Sequence, residues 1–414
     1  MWRRLMGVPA DSLPLKHNSG LDLLEGVVVI DLTGSVAGPY GGQLLGDLGA
    51  TVIKVERPGA ADDCRSWGPP FLGEESLWYL SVNRNKRGIT LDISAAQGHA
   101  TLLRMVAKAD IVLVNVVGRV QRKLGIDHAT LAAVNPGLIH VSITGFGLSG
   151  ERAEMPCYDL IAEGYSGVMD MTGEADGPPQ KVGTPAADLL AGEDAALAAV
   201  AALVRKQRTG KGAAVDIALV ESMTRFMAPR LLPHLGSGEP VRRSGGRDSV
   251  IAIYQTFETA DLPLTLGLGN DGIWQRFWAV LGDPDFARNP AYVTNALRRG
   301  QRAEIVGVIA ERLRARGRDE WLALFVEARV PAGPIYRLDE IGADAALRRR
   351  GFLYAFERDG LRIPQVGLGI CFDGESEAVT LAPPRIGADN DAVLGAWLGL
   401  APAEIEALSR AGII

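Results

Sequence analysis

Cysteine and histidine are scarce, at three and five residues in 414, and aromatic residues make up only 6% of the chain. Cys64, Cys157 and Cys371 are widely spaced, odd in number and free of any CxxC pair. That argues against a disulfide framework or structural zinc and fits a reducing compartment. His17, His99, His128, His140 and His234 show neither HExxH nor paired spacing, so no metal site is expected. Long apolar runs are also missing. The richest stretch, 195–204, is about half of the ~20 residues that a membrane span requires. Positive charge is not in excess either: 43 Lys and Arg stand against 49 Asp and Glu, a net charge of −6. With no long basic run, nucleic acid is a poor candidate partner, although local Arg/Lys clusters could still grip a small phosphorylated ligand.

What is present is an ordinary globular composition, 47% hydrophobic, with 50 Gly and 23 Pro. The length exceeds one compact core, so two domains, or one with a large insertion, are expected. Residues 1–23 read as an N-terminal extension of a cytoplasmic enzyme. Trp2-Arg3-Arg4 is not followed by the apolar core of a secretory signal, and Pro9, Asp11 and Pro14 interrupt an amphipathic import helix.

From Leu24 the pattern is regular. A β-branched run over 27–32, a small-residue loop over 33–39, a helix over 40–48 and a strand over 51–55 make a βαβ unit, hence a parallel sheet covered by helices. The alternation continues with a helix over 95–108, strands over 111–115 and 138–143, an Ala-rich helix over 189–208 and a strand over 214–219. Composition shifts after Phe226, and the Gly/Ser/Arg-rich loop 235–248 leads into a separate unit. That unit reads as strands over 251–257 and 264–268, then helices over 273–281, 302–314 and 319–328. Residues 331–334 form a return linker.

Individual motifs are ambiguous. Gly267, Gly269 and Gly272 match GxGxxG, but the acidic residue expected about 20 positions on is absent, so a plain turn is the better reading. Arg57, ending the second strand, could meet an anion or be a solvated edge charge. Asn83-Arg84-Asn85-Lys86-Arg87-Gly88 is a basic loop ahead of a strand over 89–93, and Arg119, Arg122 and Lys123 form a second basic group. Both could converge on a phosphate-rich ligand at the carboxyl ends of the strands, or be solvated faces. Asp188, ahead of the long helix, is by itself an N-cap, and Asp159 is unremarkable in isolation.

A resemblance goes further. LEGVVVIDLT (24–33), AGPY (37–40), LGDLGATVIKVERPG (45–59), WGPPF (67–71), NRNKRGITLDI (83–93), ITGFG (143–147), YDL (158–160), AADLLAG (186–192) and RTGKGAAVDIAL (208–219) together resemble the family III CoA-transferases. The match runs from about residue 24 almost to the C-terminus. The stretch 62–88 looks closest to the branch that moves CoA from succinyl-CoA to dicarboxylates such as glutarate or hydroxymethylglutarate.

The resemblance implies an α/β fold: a Rossmann-like large domain built from residues 24–225 and 336–414, with a smaller α+β domain from the linker and middle of the chain, 226–335. It also implies an interlocked homodimer and CoA or acyl-CoA as substrate, with no permanently bound cofactor. The nucleophile would be Asp188, forming an aspartyl-CoA thioester, with Asp159 in support. CoA would meet Ser35, Val36 and Ala37, then Arg57, Leu91, Asn115, Lys123 and Tyr158. Val36 stands where formyl-CoA transferase has glutamine, which argues against formyl-CoA and oxalate. Arg65, Arg84 and Arg247 are each candidates for the distal carboxylate of an acceptor. Two other readings share the fold: an α-methylacyl-CoA racemase and an inactive CoA-binding relative. The racemases carry histidine where this chain has Tyr158, a poor proton carrier near neutrality.

Overall fold

The computed structural model describes residues 10–16, 21–376 and 381–414; residues 1–9 and 17–20 of the expected extension lie outside them. The chain forms two compact units. One comprises residues up to 168, 181–238 and 342–414; the other comprises 169–180 and 239–341. Residues 226–238 thus sit with the first unit, and 169–180 join the second.

The first unit is organised by six short strands: β1 (Val28–Asp31), β2 (Thr51–Glu56), β3 (Lys86–Thr90), β4 (Ile111–Val114), β5 (Ile139–Thr144) and β6 (Ala213–Ala218). They are all parallel and lie in the order β3-β2-β1-β4-β5-β6. Helices α1 (Ala37–Asp47), α2 (Ala96–Val106), α3 (Gly118–Leu124), α4 (Asp159–Ser166) and α5 (Ala186–Thr209) supply the crossovers and covers. Strands β4 and β5 are both buried along their whole length; β4 is a continuous apolar run, whereas β5 alternates Ile139, Val141 and Ile143 with His140, Ser142 and Thr144. The direction of chain growth reverses between β1 and β4, and at such a point the loops part to leave a crevice.

The end of the chain completes this core. Val393, Leu394, Leu408 and Ile413 pack with Ile30, Ile53, Ile89 and Val112, and Asp92 N–H donates to Ile413 O at 2.7 Å. Pro14 O accepts from Ala355 N–H at 2.9 Å, tying part of the N-terminal segment to a hairpin of this unit. β3 starts at Lys86, three residues before the expected strand. A lysine is tolerated in the strand because its ammonium meets Asp31 Oδ2, Pro39 O and Asn83 Oδ1 at 2.7–2.9 Å.

The second unit holds three antiparallel strands, β7 (Tyr254–Phe257), β8 (Leu264–Gly267) and β9 (Ala332–Pro334), with β8 central. Helices α6 (Asp271–Val280), α7 (Arg302–Leu313) and α8 (Arg318–Glu327) surround an aromatic core of Trp274, Phe277, Trp278, Trp321 and Phe325. Because β8 is antiparallel to both neighbours, Gly267, Gly269 and Gly272 cannot open a dinucleotide-binding crossover.

Candidate active site

A cleft of about 440 Å³ opens in the first unit at the carboxyl ends of β1, β2, β4 and β5. Its walls include Thr33, Gly34, Ser35 and Ala37 after β1, Arg57 after β2, Asn115 after β4, and Gly145, Cys157, Tyr158 and Asp188. Asn115 bridges the crevice: its amide oxygen accepts from Gly34 N–H at 3.1 Å and its amide nitrogen donates to Gly34 O at 2.7 Å.

Two glycines bring the amino ends of α1 and α5 together. A β-carbon on Gly41 would lie 3.0 Å from Gly192 O, and one on Gly192 would lie 2.6 Å from Ala37 O. The helices therefore cross almost backbone to backbone, and Asp188 reaches the wall that Ala37 also lines. Asp188 is not the N-cap expected of it. It lies inside the first turn of α5, whose N-cap is Pro185 and which has no side-chain cap of its own. The cap comes from 28 residues away: Asp159 Oδ1 accepts from Ala187 N–H at 2.9 Å and from Asp188 N–H at 3.3 Å. With those amides taken, the Asp188 carboxyl is left facing the cleft.

The electrostatics at this corner are one-sided. Burial, then the neighbouring Asp159 charge, pushes the Asp188 carboxyl up to about 7. Glu163, fully buried on the next turn of α4, is also raised by burial and by Asp159, although it accepts from Val182 N–H at 2.9 Å. Burial and Asp188 push the Cys157 thiol up to about 11, so it is protonated at neutral pH and a weak nucleophile. A carboxylate in the first turn of a helix, partly desolvated and facing a cleft, is poised to attack or to exchange a proton.

Ser35, Ala37, Arg57, Asn115, Tyr158 and Asp188 are thus brought to one cleft. Asp159 stands behind it as the helix cap. Three other expected contacts, Val36, Leu91 and Lys123, do not line this cleft. Val36 is 2% exposed and Leu91 is 1% exposed, the latter packed in the sheet core just after β3 ends. Lys123 is exposed on α3 and is not among the cleft-lining residues.

The basic loop 83–88 also fails as a phosphate grip. It leads into the amino end of β3, the wrong end of a parallel strand, and Asn83 to Lys86 are buried. Arg84 is forked onto Asp47 (Nε–Oδ1 2.9 Å, Nη2–Oδ2 2.5 Å), and Arg65 onto Glu56 at 2.8 and 2.6 Å, so neither is available for an acceptor's distal carboxylate. Arg247 belongs to the second unit. Sequence reasoning missed Asp62, Cys157 and Glu163; the only signal for Asp62 was its place in the turn after a strand-end arginine.

The chain belongs to CoA-transferase family III, whose model matches residues 24–390. Among curated proteins it is 38% identical to a succinate–glutarate CoA-transferase of Agrobacterium fabrum, over 94% of this chain and 96% of that one. It is 33% identical to the human succinyl-CoA:glutarate CoA-transferase, over 97% and 92%. An acetyl-CoA:oxalate CoA-transferase of Acetobacter aceti is 36% identical over 76% and 81%. Among solved structures, a CAIB/BAIF family protein from Brucella suis superposes with a TM-score of 0.80 at 37% identity, over 92% of this chain and all of that one.

Proposed function

We propose that this CoA-transferase moves CoA from succinyl-CoA to a dicarboxylic acid of glutarate type, with Asp188 as nucleophile. An Asp188 oxygen attacks the donor thioester carbon and the C–S bond breaks, giving a mixed anhydride and CoA thiolate. The thiolate attacks the Asp188 carbonyl carbon, releasing the donor acid and leaving an aspartyl-CoA thioester. The acceptor carboxylate displaces the thiolate to form a second anhydride, and the thiolate takes the acceptor acyl group and frees Asp188. Every nucleophile and every leaving group is a carboxylate or a thiolate, so no step needs a proton or a bound cofactor. The amino end of α5 stabilises charge developing beside Asp188. Ser35, Ala37, Arg57, Asn115 and Tyr158 would line the path of the CoA thioester. The working form in this reading is an interlocked homodimer.

The observation that carries the choice is that Asp188 faces the cleft and, among the described residues, none lining it is a histidine. A racemase would need a second proton carrier there, and Tyr158 is a poor one near neutrality. The dicarboxylate preference is supported by the two succinate/glutarate relatives. The test is mass spectrometry of succinyl-CoA mixed with a panel of mono- and dicarboxylic acids, beside Asp188→Ala. New dicarboxylyl-CoA species from the native protein alone are expected. A protein that makes no new thioester, yet exchanges the α-proton of 2-methylacyl-CoA in heavy water, would be the racemase instead.

A further inference from the structure

The sheet order β3-β2-β1-β4-β5-β6 is the one in which dinucleotide folds bind pyrophosphate, using free amides of the loop after β1 and of the following helix. In this chain three successive loop amides are already taken by side chains. Thr33 N–H donates to Asp31 Oδ1 at 3.0 Å, Gly34 N–H to Asn115 Oδ1 at 3.1 Å, and Ser35 N–H to Asp62 Oδ1 at 2.9 Å. Asp62 is itself clamped: its Oδ1 also accepts from Cys64 N–H at 3.0 Å, and its Oδ2 lies 2.9 Å from Lys54 Nζ. Lys54 donates as well to Thr33 O at 2.9 Å, closing the circuit back onto the loop. The Lys54 and Asp62 side chains are 0% and 1% exposed.

This clamp acts on a strained residue. Ser35 has φ +66°, a left-handed conformation that a side chain disfavours and that persists only when its surroundings over-determine it. A carboxylate at this spot also sets a negative charge where a dinucleotide fold places phosphate.

We propose that Asp62 is a positioning residue for the CoA thioester: clamped by Lys54, it holds Ser35 so that the loop forms a fixed wall for the uncharged pantetheine arm rather than a phosphate cradle. The proposal rests on the CoA-transferase reading above. The phosphates then lie elsewhere along the cleft, whose wall also carries the exposed Arg57.

The test compares succinyl-CoA with succinyl-pantetheine as donors for the native protein, Asp62→Ala and Asp62→Asn. Loss of the clamp in Asp62→Ala is expected to raise KM about tenfold for both donors by the same factor, with kcat changed less than about threefold and the acceptor KM unmoved. Asp62→Asn, whose amide oxygen still accepts from Ser35 N–H, is expected to recover most of the donor KM. If the alanine variant does not fold, Asp62→Glu keeps the charge beside Lys54 but displaces the acceptor, and the same KM split is expected.

Unchanged donor KM in a folded Asp62→Ala or Asp62→Glu protein overturns the proposal. So does a rise confined to succinyl-CoA, which would put the phosphates on the loop. Calorimetric titration with CoA and with pantetheine reads the same contrast without turnover. Failure of the transfer chemistry and failure of the positioning role are therefore distinguishable.

Discussion

Two groups of charge in the first unit differ in one respect. Beneath the loop after β1, Asp31 has Lys86, Asp62 has Lys54 and Glu56 has Arg65 within 3 Å, and farther from the cleft Asp47 has Arg84. At the amino end of α5, Asp188, Asp159 and Glu163 gather with no ion pair within 4 Å among the described residues. The consequences have opposite signs. In the first group burial opposes ionisation but the partners outweigh it, so Asp31 is held below the ordinary carboxylate range and Lys54 above the ordinary ammonium range. Lys86 gives way, pushed by burial down to about 8. In the second group burial and like charge act together, and Asp188 rises to about 7. Paired burial builds the scaffold, whereas unpaired crowding sets up reactivity.

The largest effect should come from breaking a pair in the first group. Lys86→Met removes a fully buried ammonium and takes away the cation that bonds Asp31 Oδ2 and the Pro39 carbonyl. Losing one partner of a buried pair costs about 3–5 kcal/mol, read as a lower midpoint in urea. A loss under about 1 kcal/mol would mean that the pairing does not hold this floor together.

A neutral substitution in the second group should do the reverse. The Asp188 carboxyl titrates near 7 in the folded chain against 3.8 for the free side chain, so the native state binds its proton more tightly than the unfolded state. The ionised group therefore costs stability in full above about pH 7, and that cost fades as pH falls from about 7 to about 4. Asp188→Asn should raise stability at pH 8 by about 2 kcal/mol, a full conversion of the shift discounted for partial solvent access. At pH 4 the gain should be nearly gone. Thermal melts at the two pH values measure it, and an equal gain at both would show that charge is not its source.

How much of this was legible beforehand follows from the same contrast. Strands β1, β2, β4 and β5 announced themselves within a residue or two, because Val and Ile dominate their apolar positions. The loop 83–88 misled, because five polar residues in a row look like a solvated turn until their partners are known. Asp47 and Asp31 lie about 40 and 55 residues away in sequence, and no local pattern reports such a pairing. Asp188 was found through the AADLLAG resemblance, not through chemistry, since an aspartate near a helix start is ordinarily a cap. That Asp159 does the capping, and so frees Asp188, needed the fold to show it. Leu91 was carried over by motif alone, and it packs into the apolar core just past the end of β3.

The smallest predicted effect is the sharpest test of the unpaired group. Asp159→Asn keeps an oxygen where Ala187 and Asp188 N–H donate, so the cap on α5 survives. It removes the charge that, after burial, raises Asp188. The other groups at this corner stay: the Cys157 thiol, the Lys181 ammonium that opposes the rise of Glu163, and Glu163 itself, which loses one of its own raising causes. If ionised Asp188 is the attacking form, kcat/KM for the donor rises with pH to a plateau above about 7 in the native protein. In Asp159→Asn the limb should move to lower pH yet stay above 3.8, because burial remains. The plateau should change less than about threefold, since the cap is intact. A limb that does not move would assign the elevation to burial alone. A collapsed plateau would give Asp159 a direct part in the reaction rather than a place behind the nucleophile.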